Sequence, residues 1–146
     1  MTYTSTSSAS TSLTQAKQAD YAALLLRTTM GVLFLLHGGL KLFVFTPAGT
    51  VGFFQSLGLP GPLAYVTIAA EILGGFALIA GVYTRWVSLA LVPVIVGAGV
   101  FAHASSGFFF SNEGGGWEFL LFWTVALLVQ ALLGGGVYSL TKHASR

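Results

Sequence analysis

The stretch that most constrains this chain is Tyr65–Gly81, YVTIAAEILGGFALIAG, a run of apolar and small residues that contains one acid, Glu71. A run of this length is typical of a helix that crosses a bilayer, and it would place Glu71 near the hydrocarbon midplane. A carboxylate at that depth costs at least ~2.5 kcal/mol. Glu71 therefore needs a cationic partner, a proton or a functional role.

The composition of the whole chain also indicates an integral membrane protein. Of its 146 residues, 55% are hydrophobic and only 7% are charged, whereas soluble domains average about 25% charged residues. Six basic and four acidic side chains are too few for a nucleic-acid interface. The absence of cysteine excludes a thiol relay, iron–sulfur ligation and covalent haem attachment. Redox chemistry would therefore need a bound cofactor, a quinone or a partner subunit.

The apolar segments predict an all-α fold, an integral membrane antiparallel bundle of four transmembrane helices. The predicted spans are Tyr21–Phe43, Leu63–Val82, Val87–Ser105 and Trp117–Tyr138. Each is close to the ~20 residues that a helix needs to cross the hydrocarbon core. Because the connections are short, consecutive helices should be antiparallel neighbours.

The segments outside the spans divide the chain into three regions. Residues 1–19 are rich in Ser and Thr and predict a disordered tail without a cleaved signal peptide. Residues 20–140 form the predicted four-helix transmembrane domain, and residues 141–146 a short basic cytoplasmic tail. Within the connection Thr46–Pro62, residues Val51–Leu57 predict a short interfacial helix.

The basic residues predict the orientation of the bundle. All but Lys41 fall on one side of the four-span arrangement, and these are Lys17, Arg27, Arg85, Lys142 and Arg146. The positive-inside rule then places both termini in the cytoplasm.

Five ionisable residues could converge in one polar pocket that opens outward: His37, Lys41, Glu71, His103 and Glu118. His37 and Lys41 are four residues apart and therefore share one helix face. Arg27 lies on the cytoplasmic side of the midplane, where it could close the lower end of the pocket by pairing with Glu71.

Each of these residues also has a structural interpretation. Glu71 could form an ion pair with Arg27 or Lys41, and Lys41 and Glu118 could extend to the headgroups. His103 could make an interfacial hydrogen bond, and Gln130 could join helices. Two isolated histidines, His37 and His103, are a weak signal for haem b. A zinc site that adds Glu118 is weaker still, so no metal is expected.

Three motifs resemble the DoxX family of small bacterial and archaeal membrane proteins. They are HGGLKL at His37–Leu42, LGLPGP at Leu57–Pro62 and AEILGGFALIAGVYTR at Ala70–Arg85. The resemblance covers about Leu24–Leu140. It implies four transmembrane helices with both termini inside, in the plasma membrane of a bacterium or archaeon.

The same resemblance implies a membrane subunit of an oxidoreductase system that interacts with quinone, linked to sulfur or oxidative-stress metabolism. A soluble or membrane redox enzyme would be its protein partner, and the chain could form a homo-oligomer. The quinone or substrate site would then be lined by His37, Lys41, Glu71, His103 and Glu118, with Arg27 below. Physically, His37 or Lys41 could donate to the quinone and Glu71 could pass protons.

Two further functions are compatible with the sequence. The chain could be a non-catalytic anchor or scaffold for a soluble redox enzyme. It could also be a small transporter or channel, although four helices enclose only a small pore unless the chain oligomerises.

Overall fold

The computed structural model describes residues 5–141, with side chains from Leu13 onward, and residues 1–4 and 142–146 lie outside the description. The described part contains helices and turns but no strands. Its helices are α1 (Ser5–Gly39), α2 (Thr46–Ser56), α3 (Pro62–Ala80), α4 (Thr84–Gly97) and α5 (Glu118–Leu133). Two π-helical segments, Leu40–Val44 and Ala98–His103, continue α1 and α4, and a 3₁₀ turn follows at Ala104–Ser106.

In the part of the chain that the structure describes, three helical segments are long and apolar enough to cross a membrane, which agrees with a multi-pass membrane protein. They are Leu13–Val44, Pro62–Ala80 and Thr84–Ser106. The fourth apolar helix, α5, has 16 residues, or about 24 Å at 1.5 Å per residue. It is shorter than the predicted span Trp117–Tyr138, so a fourth crossing stays a prediction.

The structure describes only part of the two predicted tails. The first helix begins at Ser5, inside the region 1–19 that composition predicts to be disordered. Lys142 and Arg146, two of the residues used to predict the orientation, lie outside the described residues. The limits of the tails and the side of the membrane on which the termini lie therefore remain predictions. The helix predicted at Val51–Leu57 overlaps α2, which begins earlier, at Thr46, and ends at Ser56.

The helices α1, α3, α4 and α5 pack around a single apolar cluster. Its members are Met30, Phe34, Leu78, Leu91, Ile95, Trp123, Ala126 and Leu127. The buried positions of each helix recur every three or four residues, as in Ile68, Glu71, Gly75 and Leu78 of α3. One stripe of each helix therefore faces the cluster, and the remaining apolar side chains face outward.

Glycines bring the backbones of α1 and α3 into near contact. A Cβ atom added to Gly31 would lie 2.7 Å from the carbonyl oxygen of Gly75, and one added to Gly75 would lie 2.9 Å from that of Gly31. The contact continues toward the end of α1. There, a Cβ atom added to Gly38 would lie 3.2 Å from Cβ of Glu71, which is one turn before Gly75 on α3. Small residues therefore allow the close approach of α1 and α3, as is common between helices that pack in lipid.

The chain after α5 folds back over the end of α3. Gly134 and Gly136 have positive φ angles of 84° and 66°, which end the helix at Leu133. Residues 134–141, here called the C-terminal strap, then pair with the last turn of α3, where the Leu140 N–H donates to the Ala80 carbonyl over 3.2 Å. We call this end of the bundle the strap end, and the opposite end, which holds residues 107–117, the loop end.

Arg27 fastens the strap to the helices. Its Nε donates to the Gly135 carbonyl over 2.9 Å and its Nη2 to the Val137 carbonyl over 3.2 Å. Its Nη1 donates to the carbonyls of Leu78, over 2.9 Å, and Ile79. The cation thus satisfies unpaired carbonyls at the C-terminal end of α3, where the helix dipole favours positive charge.

We expect Gly75→Ala to destabilise the protein by about 1–3 kcal/mol, since its methyl group would push α1 away from α3. Gly97→Ala is the matched control, because nothing lies within 4 Å of a Cβ at Gly97. It should change stability by no more than about 1 kcal/mol. Unfolding in detergent measures both variants, and equal effects would contradict the close α1–α3 contact.

We expect Arg27→Lys to lower the free energy of unfolding by at least about 2 kcal/mol, since an ammonium group cannot span four carbonyls on two segments. The strap should also become more susceptible to limited proteolysis. Wild-type stability and protection in this variant would show that Arg27 does not hold the strap.

Candidate functional site

The centre of the site is an ion pair between α1 and α3. Lys41 Nζ lies 2.8 Å from each carboxylate oxygen of Glu71. The Glu71 side chain is 5% exposed and that of Lys41 is 21% exposed. Of the two partners that the sequence predicts for Glu71, the structure selects Lys41. Among the described residues this is the only ion pair between side chains.

The local structure explains why Lys41 turns inward rather than toward the headgroups. Gly38 lets α1 lie against Glu71, and the π-helical segment begins at Leu40, directly before Lys41. A π-helical turn shifts the following side chains around the helix axis, and such turns are frequent at functional sites. The Thr50 hydroxyl then donates to the Lys41 carbonyl over 3.2 Å, which ties α2 to this turn.

His37 lies one turn before Lys41 and has one nitrogen free. Its Nδ1 is 2.9 Å from the Leu33 carbonyl. Because a carbonyl only accepts, Nδ1 carries the hydrogen, and Nε2 remains available to a ligand or a proton. His37 is also close enough to Glu71 to interact with it electrostatically.

Trp123 is a member of this site that the sequence analysis does not identify. Its ring centroid lies 5.0 Å from that of His37 in an edge-on arrangement, and 4.9 Å from that of Phe34. The side chain is 2% exposed, yet the indole Nε1 has no hydrogen-bond partner among the described residues. A buried indole N–H usually has an acceptor. Trp123 is therefore a free donor beside His37.

His103 and Glu118 contact the loop at the loop end rather than the ion pair. His103 Nδ1 donates to the Gly115 carbonyl over 2.8 Å. Glu118 Oε1 accepts from the Phe110 N–H over 2.8 Å. The predicted set of five residues therefore separates into a central group, His37, Lys41 and Glu71, and two residues that hold the loop.

Arg27 does not pair with Glu71, so that predicted interaction is wrong. The reason is that four backbone carbonyls at the strap end already accept from its guanidinium group. Gln130 also differs from the prediction, because its Nε2 donates over 2.6 Å to Gly134 at the end of its own helix rather than to another helix.

Apolar side chains separate the ion pair from the strap end. Phe34, Leu78, Leu91 and Leu127, one from each packed helix, are at most 2% exposed. The exposed part of the pair belongs to Lys41, toward the loop end of α1. The accessible part of the ion pair therefore lies nearer the loop end than the strap end. Among the described residues, no group of three histidine or acidic side chains could hold a metal ion.

These features define a multi-pass, all-helical membrane protein with a buried Lys–Glu pair between two closely packed helices. The family model DoxX matches residues 22–104, which is more than half of the chain. The chain therefore belongs to the DoxX family. The match contains His37, Lys41, Glu71, His103 and Arg27, whereas α5 with Glu118 and Trp123 lies beyond it.

The chain is also similar to a protein of Bacillus subtilis (strain 168) described as "Putative oxidoreductase CatD". The two are 38% identical over 82 residues, which is 56% of this chain and 60% of that protein. The match thus spans less than two thirds of the relative's length. No solved structure matches the chain.

We expect Glu71→Leu to destabilise the protein by about 3 kcal/mol, because it leaves the Lys41 ammonium, which is only partly exposed, without a partner. The double variant Lys41→Met/Glu71→Leu should recover most of this loss. Chemical denaturation of the wild type, of the single variants Lys41→Met and Glu71→Leu, and of the double variant gives a double-mutant cycle. Additive effects of the two substitutions would mean that the side chains do not interact.

Proposed function

We propose that this chain is a membrane subunit of an oxidoreductase system and binds a quinone headgroup beside the Lys41–Glu71 pair. Membership in the DoxX family and similarity to a protein described as an oxidoreductase support the redox role. One observation carries the quinone assignment. A buried donor without a partner, Trp123 Nε1, lies next to an imidazole with one free nitrogen, His37 Nε2, in an aromatic environment.

The residues fit the chemical requirements of a quinone. Its carbonyl oxygens need hydrogen-bond donors, which Trp123 Nε1 and a protonated His37 supply. Its flat ring needs apolar and aromatic neighbours, and Phe34 and Phe119 pack on Trp123 at centroid distances of 4.9 and 5.5 Å. Bound quinone supplies the two-electron, two-proton chemistry that no side chain of this chain provides.

The chain's own residues then orient the ring and move protons. His37 Nε2 accepts or delivers a proton at the ring, while the Leu33 carbonyl holds Nδ1–H and fixes the orientation of the imidazole. The Lys41–Glu71 pair stands beside it as a second group that can exchange a proton. Because the apolar side chains between the ion pair and the strap end are buried, these protons would be exchanged through the loop end.

The electrons must come from elsewhere, since the chain contains no cysteine. We therefore propose a redox enzyme, soluble or membrane-bound, as the partner. The proposed setting is the plasma membrane of a bacterium or archaeon, with four crossings, both termini in the cytoplasm, and a homo-oligomer as an open alternative.

A second candidate function is a non-catalytic anchor for such an enzyme. It is favoured by the length of α1, whose residues 5–20 would extend about 24 Å beyond the predicted first span. Side chains 13–20 of this extension are exposed. A channel is less well supported, because the apolar layer and the strap close one end of the bundle. Purified protein that retains quinone separates the first function from the anchor.

We expect Trp123→Phe to weaken the binding of a short-tailed quinone roughly three- to tenfold, because the ring stays but the N–H donor is lost. His37→Ala should weaken binding at least as much. The control variants are Trp117→Phe and His103→Ala, whose side chains contact the loop instead. Titration in lipid nanodiscs measures the affinities. Equal affinity in all four variants would remove His37 and Trp123 from the binding site.

A further inference from the structure

An open cleft of about 570 Å³ lies at the loop end, where the loop meets the first turns of α5. Its lining consists of Phe110, Glu118, Phe119 and Phe122. We call it the aromatic cleft. Its volume falls within the range of small-molecule sites. Its walls are three phenyl rings and one carboxylate, and none of the central group His37, Lys41 and Glu71 lines it.

Only one of the two carboxylate oxygens of Glu118 accepts a hydrogen bond from the described residues. Its Oε1 accepts from the Phe110 N–H over 2.8 Å, which fastens the loop to α5. Oε2 has no hydrogen-bond donor among the described residues. No described lysine or arginine pairs with Glu118 either, since the Lys41–Glu71 pair is the only ion pair among the described side chains. The cleft therefore has an anion without a cationic partner.

The rings add to the preference for positive charge. Phe110 and Phe119 stand at 61° to each other with their centroids 6.4 Å apart, so two walls of the cleft are inclined. The ring of Phe119 also packs against Trp123, with their centroids 5.5 Å apart. The third ring, Phe122, is 70% exposed. The faces of phenyl rings attract cations, most strongly organic cations that are weakly hydrated.

We propose that the aromatic cleft binds an organic ammonium group, with Glu118 as its counter-ion and Phe119 and Phe122 against its methyl or methylene groups. A neutral apolar ligand would leave the free carboxylate oxygen desolvated and unpaired. An inorganic cation would find one carboxylate and no further side-chain oxygen in the lining. Two sources carry the required chemistry: a soluble amine such as choline, and the ethanolamine headgroup of a phospholipid.

Glu118→Gln tests the charge while preserving the fold, since the amide oxygen can still accept from the Phe110 N–H. In nanodiscs of phosphatidylglycerol, saturation-transfer NMR should detect choline on the wild type but not its neutral isostere 3,3-dimethylbutan-1-ol. We expect Glu118→Gln to weaken choline binding at least tenfold. Glu113→Gln removes the same charge from an exposed position in the same loop and should leave binding unchanged.

Phe122→Leu tests the ring without a change in charge and should weaken choline binding about two- to fivefold. Phe109→Leu is its control, because Phe109 is an exposed phenylalanine of the neighbouring loop that does not line the cleft. Equal binding of choline and its neutral isostere, or equal effects of Glu118→Gln and Glu113→Gln, would overturn the proposal. Neither outcome depends on quinone binding.

Native mass spectrometry distinguishes the two sources of the ammonium group. Preferential retention of phosphatidylethanolamine over phosphatidylglycerol, lost in Glu118→Gln, would assign the cleft to a lipid headgroup. Choline binding without such a lipid preference would assign it to a soluble amine. Either result supports an ammonium site, and the absence of both would overturn it.

Discussion

The pairing of Lys41 with Glu71 is the interaction on which the arrangement of this bundle depends. A lone charge inside hydrocarbon is costly, and two opposite charges offset that cost only at close range and in good geometry. The geometry comes from glycine. Gly31, Gly38 and Gly75 let the backbones of α1 and α3 approach closely enough for the two side chains to meet, and the π-helical turn at Leu40 directs Lys41 inward. The ion pair and the close α1–α3 contact are thus one feature.

The other charged groups in the apolar part of the fold are accommodated in different ways. Arg27 donates to backbone carbonyls of α3 and of the strap, so that a buried cation joins these two segments at the strap end. Glu118 uses a backbone N–H and thereby holds the loop at the other end. Between the two ends, an apolar layer isolates the ion pair from the strap end. The two ends of the bundle therefore differ, and the more exposed member of the ion pair, Lys41, lies toward the loop end.

Much of the fold, but less of the site, is predictable from sequence. The apolar runs predict the helices, and an acid within Tyr65–Gly81 predicts a partner for Glu71. The sequence does not decide whether that partner is Arg27 or Lys41. So uniformly apolar a pattern does not determine how each helix is rotated about its own axis. The sequence gives no indication of the groups that accept from Arg27, because they are backbone carbonyls, which every residue has. Gly134 and Gly136, whose positive φ angles end α5 and start the strap, are likewise not singled out by the sequence. Trp123 is not predicted from the sequence, because an aromatic residue in an apolar helix is usually part of the core. Only the unpaired N–H in the structure distinguishes it.

The most direct test of the account is the Lys41–Glu71 contact in a bilayer. Solid-state NMR on protein with ¹⁵N-labelled lysine and ¹³C-labelled glutamate measures the dipolar coupling between the ammonium nitrogen and the carboxylate carbon. With Nζ 2.8 Å from both oxygens, strong coupling is expected in the wild type. It should vanish in Lys41→Met. Absence of coupling in the wild type would show that the two charges do not meet, and the proposed site would lose its centre.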